Sequence, residues 1–194
     1  MAEIKRIDGI WNTIFDKENK AKVERNIVEV LKKVPIFEEL SRRELQNIGR
    51  IAYQRHYHEN EVIIHEAQAA AGMYIIMEGE VKVTKTSEDG TVFHLSTFGD
   101  GAFFGDVGLL DNAPRAATVT AIRDSKIIGF FRPELLQLIN SNPKLASKVL
   151  FKLAQVLAER LRFTNDRLEK AQEESDRLKA LQGVSDMANE DTPV

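Results

Sequence analysis

The chain has 194 residues, of which 43% are hydrophobic, and a formal net charge of −3. This length and apolar content suit one folded domain with additional helices and exclude wholesale disorder. The small net charge gives no general attraction to nucleic acid or anionic membrane, so any anion site would have to be local. The absence of cysteine excludes disulfides and thiolate metal sites. The absence of cysteine also fits the cytoplasmic protein that we expect. Because the N-terminus lacks a signal-peptide core and no apolar run reaches about 18 residues, we expect neither a signal peptide nor a membrane span.

Apolar residues at three- and four-residue spacings predict two amphipathic helices ahead of the main domain, over 4–15 and 19–33. We expect them to dock on that domain. A role in binding a partner or a membrane surface is the alternative, although an anionic-lipid helix would be more basic. Pro35 ends the second helix. Ser41 and Glu44 form a capping box that begins another helix, which ends near Tyr53.

From about 55 to 130 the chain consists of short β-branched runs separated by turn residues, which is typical of a sandwich or barrel. Asp89 and Gly90, between two alternating runs, are the clearest hairpin signal. The runs are Val62–Ile64, Tyr74–Ile76, Val81–Thr84, Val92–Leu95 and Ala117–Ala121.

Two prolines mark the starts of the C-terminal helices: Pro133 for a helix over 133–140, and Pro143 for a far longer one. The long helix has a seam whose spacings alternate between four and three, which predicts a coiled coil and a homodimer. In this register Glu174 and Lys179 occupy positions that pair between parallel partners. Folding back onto the N-terminal helices is the alternative. The seam comprises Leu150, Ala154, Leu157, Leu161, Thr164, Leu168, Ala171, Ser175 and Leu178.

A second apolar stripe on the same helix is expected to pack on the body of the domain; it comprises Val149, Leu153, Val156 and Phe163. The whole chain is thus divided into N-terminal helices over 1–33, a barrel over 34–142, a long helix over 143–183 and a flexible tail over 184–194.

The stretch from Phe104 to Thr118 is the part of the sequence that indicates chemistry. It begins with glycines and the acid Asp106, runs apolar for one turn, and presents Arg115 before a β-like run. A short helix that begins at glycines offers backbone N–H groups and a positive dipole end, and a guanidinium adds a two-pronged donor. We therefore expect this stretch to bind a small phosphorylated ligand. Taken alone, Arg115 could instead pair with Asp106 or Asp111 on the surface.

Other chemistry has weaker support. The glycines at 99–105 have the wrong spacing for a dinucleotide fingerprint, and no P-loop is present. His56 and His58 alternate on a predicted strand and could share a metal, but the following residues are apolar. A metal-dependent barrel enzyme is therefore the remote alternative, and ordinary surface histidines are expected. We expect neither catalytic residues nor a bound metal.

Phe104-Gly105-Asp106, followed by Pro114-Arg115-Ala116-Ala117-Thr118, resembles the phosphate-binding cassette of the cyclic nucleotide-binding domain family. The similarity covers roughly residues 35–162. It implies a mainly β fold with flanking helices: an eight-stranded jelly-roll barrel with N-terminal helices and a long C-terminal helix. It also implies a cyclic nucleotide, cAMP or cGMP, as the ligand, and no further cofactor.

By position in that family, Arg115 would contact the cyclic phosphate, together with backbone groups of Gly105, Val107, Gly108, Leu109, Ala116 and Ala117. Asp106 would accept the ribose 2′-hydroxyl, and Val83 and Leu95 would line the barrel near the base. A threonine or serine after the arginine favours guanine in the family, so Ala116 favours cAMP.

Three departures from the family pattern bear on function. Asp106 stands where glutamate is usual, the turn before Tyr74 is rich in alanine over 67–71, and too few residues follow the long helix for a DNA-reading unit. The leading hypothesis is a non-enzymatic receptor module that signals to an unidentified effector protein by moving its C-terminal helix. The alternative is a structural dimerisation module of the same fold that has lost its ligand.

Overall fold

The structure is a computed structural model that describes the backbone of residues 26–190 and the side chains of 26–179. The predicted helix over 4–15 and the start of that over 19–33 lie outside the described residues. The chain divides into two compact units, Met1–Lys152 and Leu153–Val194. Of the helices that the structure describes, none combines the length and apolar character needed to cross a membrane.

Helical segments precede the strands. Residues 26–31 form the described part of α1, a 3₁₀ turn covers Pro35–Phe37, and α2 covers Arg42–Ile51. The predicted capping box is present, because the Ser41 side chain accepts from the Glu44 N–H and the Glu44 carboxylate accepts from the Ser41 N–H. This helix ends two residues short of Tyr53, which begins the first strand.

Eight strands form two antiparallel sheets, as expected for the jelly roll. The first sheet has the order β1-β8-β3-β6 and the second β2-β7-β4-β5. The strands are β1 Tyr53–Tyr57, β2 Val62–Ile64, β3 Gly72–Glu78, β4 Glu80–Thr86, β5 Val92–Gly99, β6 Phe103–Phe104, β7 Thr118–Ala121 and β8 Ser125–Phe131.

The inner faces of the two sheets share one apolar core. Tyr57, Ile76 and Ile127 contribute to it from the first sheet, and Val81 and Val119 from the second. The first sheet is also covered from the helical side, where the rings of Phe37 and Phe130 meet edge to face at 6.2 Å.

The β4–β5 hairpin contains an irregularity that alternation in the sequence does not reveal. Val83 pairs with Ser96, but the next residue, Thr84, pairs with His94, so Leu95 has no opposite residue and forms a β-bulge. The predicted Asp89-Gly90 turn closes this hairpin, with Gly90 in the left-handed region at φ +86°.

Two helices follow the strands. The first, α3, covers Arg132–Ser141, and α4 covers Pro143–Glu190. The backbone of α4 is therefore helical beyond the expected boundary at 183, into the stretch predicted as a tail. Side chains of the second predicted stripe are buried at Val149, Leu153 and Val156, but Phe163 is 63% exposed, so the expectation for Phe163 was wrong.

Candidate functional site

The predicted cassette begins with a tight change of direction. Strand β6 ends at Phe104, Gly105 adopts a left-handed φ of +73°, and a 3₁₀ turn follows over Asp106–Leu109. An L-residue pays a steric penalty in this region, and glycine does not. The sequence predicted a single helical turn here, and the structure contains it.

Arg115 extends its guanidinium into this turn. Its Nη1 donates to the Gly105 carbonyl at 3.0 Å, and its Nη2 donates to the Gly72 carbonyl at 2.6 Å. The guanidinium carbon also lies 5.8 Å from the centre of the Tyr74 ring. The arginine therefore joins the cassette to the start of β3, which is a different role from the surface ion pair that was its alternative interpretation.

Two glycines make room for the guanidinium. A Cβ at Gly105 would lie 2.7 Å from Arg115 Nη1, and a Cβ at Gly108 would lie 2.8 Å from the same atom. The two glycines of the sequence motif are thus explained by the space that one side chain occupies. The cassette is a cradle built around a cation.

The cassette turn also contains a buried acid. The Asp106 side chain is only 2% exposed. Burial lowers the pKa of Arg115, and Tyr74, Asp106 and Asp111 oppose that shift. Because an arginine pKa starts far above neutrality, the side chain stays a cation at physiological pH.

The alanine-rich turn is hydrogen-bonded to the backbone of the arginine. The Ala67 N–H donates to the Arg115 carbonyl at 2.9 Å, and the Arg115 N–H donates to the Gln68 carbonyl at 2.8 Å. Ala67 adopts a left-handed φ of +64° without being glycine. Arg115 is therefore fixed through both its main chain and its side chain.

The other predicted residues differ in accessibility. Leu109 and Gly108 are buried, Val107 is 50% exposed, and Ala116 is exposed beside the arginine. Ala117 is half-buried just before β7.

The two residues predicted near the base do not have equivalent positions. Val83 is partly buried and packs against the core cluster. Leu95 is 54% exposed and lies in the bulge. The family resemblance placed Leu95 near the base by position in the motif, and the bulge adds one residue to β5 at that point.

Gly72 borders the site, and Ser96 and Phe93 lie on the strand that pairs with β4; none of the three was singled out from the sequence. Gly72 supplies a carbonyl to Arg115, and a Cβ there would lie 2.4 Å from the Phe130 carbonyl oxygen. Ser96 pairs with Val83 and so shares its face, and Phe93 pairs with Lys85. Gly72 could have been noticed because it is a glycine next to a β-branched run. The pairing of Ser96 and Phe93 with β4 depends on the bulge, which the sequence does not reveal.

The histidine pair gives no support for a metal site. His56 lies in β1 and His58 just after it, with ring centres 5.3 Å apart, and His58 Nδ1 lies 3.5 Å from an Asp124 oxygen. Within the part of the chain that the structure describes, no group of three or more His, Asp or Glu side chains could hold a metal ion.

Comparison with known proteins gives consistent matches to one family. Residues 54–142 match the family model described as cyclic nucleotide-binding domain. The Cyclic AMP receptor protein of Thermus thermophilus is 30% identical over 132 residues, which are 68% of this chain and 59% of that protein. The cAMP-dependent protein kinase type II regulatory subunit of Drosophila melanogaster is 38% identical over 93 residues, 48% of this chain and 24% of that subunit.

Solved structures resemble the fold at similar levels of identity. The Thermus thermophilus Catabolite Activator Protein gives a TM-score of 0.63 at 29% identity, over 70% of this chain and 62% of that one. A cyclic nucleotide-binding domain from Methylobacillus flagellatus gives 0.66 at 27% identity, over 75% and 82%. The chain thus spans less than two thirds of the curated relatives named above.

Proposed function

Since this chain carries a cyclic nucleotide-binding domain over residues 54–142, we propose that it is a non-enzymatic receptor module whose ligand is a cyclic nucleotide, with cAMP preferred. The observation that carries this proposal is the Arg115 cradle. A half-buried guanidinium that glycine backbone surrounds is suited to a phosphate that bears one negative charge. A guanidinium has five N–H donors, and the two carbonyl bonds described above use two of them.

The base preference follows from the residue after the arginine. Ala116 is exposed at the cradle and offers no hydroxyl. In the resemblance described above, a hydroxyl at this position favours guanine, so its absence favours adenine.

The ribose contact depends on Asp106. A carboxylate is a strong acceptor for a hydroxyl donor, and Asp106 lies in the cassette turn directly after Gly105. Its side chain is one methylene shorter than the glutamate usual in the family. We propose that it reaches the ribose 2′-hydroxyl through a water or after a shift of the turn.

The signal is proposed to leave the domain through the C-terminal helix. Ligand binding would draw the cassette inward and reposition α4, which would change what an effector protein or a second copy of the chain encounters. Such a shift is limited by the ligand's differential affinity for the two arrangements. The exposed seam leucines of α4 support a homodimer as the form in which this occurs.

Calorimetry with cAMP and cGMP tests the proposal on wild type, Arg115→Ala and Arg123→Ala. Arg123 is the matched control, because it also donates to a glycine carbonyl, that of Gly79, but lies outside the cassette. We expect Arg115→Ala to cost about 2–5 kcal/mol of binding, because it removes the charge partner of the phosphate. Arg123→Ala is expected to bind like wild type.

The second candidate is a structural module of the same fold without a ligand. It is favoured by the presence of Asp106 where the family usually has glutamate. It is also favoured because Arg115 already donates hydrogen bonds to two carbonyls of its own chain. Absence of binding heat in wild type with both nucleotides would support this candidate and overturn the receptor proposal. Equal affinity in wild type and Arg115→Ala would overturn the role of Arg115.

A further inference from the structure

An aromatic side chain stands on the interior face of the second sheet without being part of the core. Phe93 pairs with Lys85, and Lys85 lies two residues beyond Val83 on β4. Residues two apart on a strand share a face, and paired residues on neighbouring strands share it too. Phe93 therefore projects from the same face as Val83, which packs against the core. Yet Phe93 is 53% exposed.

A hydrogen bond on the other face supports this assignment. His94 pairs with Thr84, and Thr97 pairs with Lys82, which places both His94 and Thr97 on the outer face. His94 Nε2 lies 2.9 Å from Thr97 Oγ1. Strict alternation from the inward-facing Ser96 would turn Phe93 outward. Because Leu95 is an extra, unpaired residue, the alternation shifts by one position and Phe93 faces inward.

The sheet register also places Phe93 at the cassette end of the second sheet. Thr84 pairs with both His94 on β5 and Thr118 on β7, so these three residues form one row across the sheet. Thr118 follows Arg115 by three residues, and Phe93 lies one row further towards that end. Two strand spacings separate β7 from β5, a lateral distance of about 10 Å.

We infer that Phe93 is the residue on which the base of the bound cyclic nucleotide stacks. This inference rests on the proposed function and specifies its base contact. In this arrangement the phosphate lies at Arg115, and the ribose and base extend from β7 across β4, where Val83 and its partner Ser96 share the interior face. The purine then reaches β5 at the row of Phe93. A half-exposed aromatic ring in that position offers the π-face that bases prefer.

The test compares cAMP affinity in wild type, Phe93→Ala, Phe93→Leu and Val92→Ala. Val92 is the matched control, because it is the neighbouring residue, is 63% exposed and pairs with Thr86 on the opposite face. Stacking on an aromatic ring makes a base bind about 5- to 150-fold more tightly. We expect Phe93→Ala to lose affinity by that factor, Phe93→Leu to recover part of it, and Val92→Ala to match wild type.

Fluorescence gives a second readout that general destabilisation would not reproduce. Trp11 is the single tryptophan of the chain, so Phe93→Trp and Val92→Trp are each prepared together with Trp11→Phe. Addition of cAMP is expected to quench the emission of Phe93→Trp, because the indole stacks on the purine, and to leave that of Val92→Trp unchanged.

The outcomes separate this inference from the receptor proposal. If wild type binds cAMP and Phe93→Ala binds equally well, or if both tryptophan variants respond alike, the base contact at Phe93 is overturned while the receptor function stands. In that case Phe93 covers the stem of Lys85. If wild type and all variants bind no cyclic nucleotide, the receptor function itself is overturned.

Discussion

Among single residues, the two glycines of the cassette matter because they have no side chain. Gly105 and Gly108 lie on either side of the Arg115 guanidinium, but they do so for different physical reasons. Gly105 has a left-handed φ, whereas the φ of Gly108 lies outside that region and its constraint is space alone. Backbone strain and crowding can therefore be separated within one turn.

Alanine at either glycine is expected to displace the guanidinium and weaken cAMP binding tenfold or more. Only Gly105→Ala should add the left-handed penalty, about 1–2 kcal/mol of lost folding stability. Urea unfolding measures the stability difference, and calorimetry the affinity. Equal stability of the two variants would contradict a backbone penalty that is confined to Gly105. Unchanged cAMP affinity in both variants would contradict the role of the two glycines in placing the Arg115 guanidinium.

Ala67 is a second residue with a testable backbone cost. Its φ of +64° suits glycine better than alanine. Ala67→Gly is expected to stabilise the fold by up to about 1 kcal/mol, after the greater freedom of glycine in the unfolded chain is subtracted. Ala69→Gly is the control in the same turn, where φ is not left-handed, and is expected to destabilise. A loss of stability in Ala67→Gly, measured by urea unfolding, would contradict a backbone cost at this position.

The sequence predicted some of the residues around Arg115 but not others. The pattern from Phe104 to Thr118 was sufficient to identify Arg115 and its glycines, because the motif is local in the chain. Gly72 lies 43 residues from Arg115 and meets it only through the pairing of β3 with its neighbours. Leu95 was placed by its position in the family motif, and the bulge in which it lies has no local sequence signal.

At the scale of elements, ion pairs connect α4 to the segments before the first strand. Lys152 Nζ lies 2.6 Å from Glu38 and 2.8 Å from Glu39, and Lys148 Nζ lies 2.7 Å from Glu44. Hydrogen bonding to Lys148 and to the Ser41 backbone lowers the pKa of Glu44 to about 2. One carboxylate thus both caps α2 and holds the start of α4.

The pH dependence of this contact has a definite sign. Because the folded state depresses the pKa of Glu44, its contribution is present above the unfolded value of about 4.3 and is lost as the pH falls towards about 2. Glu44→Gln keeps an acceptor for the cap but removes the charge, so we expect it to lose about 0.5–1 kcal/mol at pH 7.

Urea unfolding of wild type and Glu44→Gln from pH 7 to pH 2 measures this difference, which is expected to vanish near pH 2. The exposed hairpin residue Glu88 provides the control variant Glu88→Gln, which should follow wild type throughout. A difference between wild type and Glu44→Gln that persists unchanged at pH 2 would contradict the ionic origin.

At the scale of the whole molecule, the second compact unit carries an apolar stripe on its surface. Leu161, Leu168 and Leu178 of the seam are 61%, 57% and 56% exposed. Lys179, predicted to pair between partners, lies 3.8 Å from Asp176 of its own helix. Leucines at this heptad spacing bury their side chains when two such helices associate.

Light scattering on the full chain is expected to give about twice the monomer mass of 21.9 kDa. The double variant Leu161→Glu, Leu168→Glu places charge in the seam and should reduce that mass to the monomer value. Phe163→Glu is the control, since Phe163 is equally exposed on the same helix but lies off the seam. If Phe163→Glu dissociates the dimer, or if the double variant remains a dimer, the seam leucines are not the dimer interface.

The overall fold was predictable because local signals and family resemblance agreed. The capping box at Ser41, the Asp89-Gly90 turn and the proline starts of α3 and α4 are each encoded within a few residues. The exposure of Phe163 was not, because periodicity identifies a stripe but not the residue at which its burial ends.

The bulge at Leu95 has a further consequence, for aggregation. Strand β5 is the edge of its sheet and exposes Val92, Phe93 and Leu95, which is the composition of a strand prone to recruit another chain. A bulge interrupts the even spacing of backbone donors and acceptors that an incoming strand requires. The same extra residue that turns Phe93 inward is therefore expected to hinder the growth of intermolecular sheets in concentrated solutions of this protein.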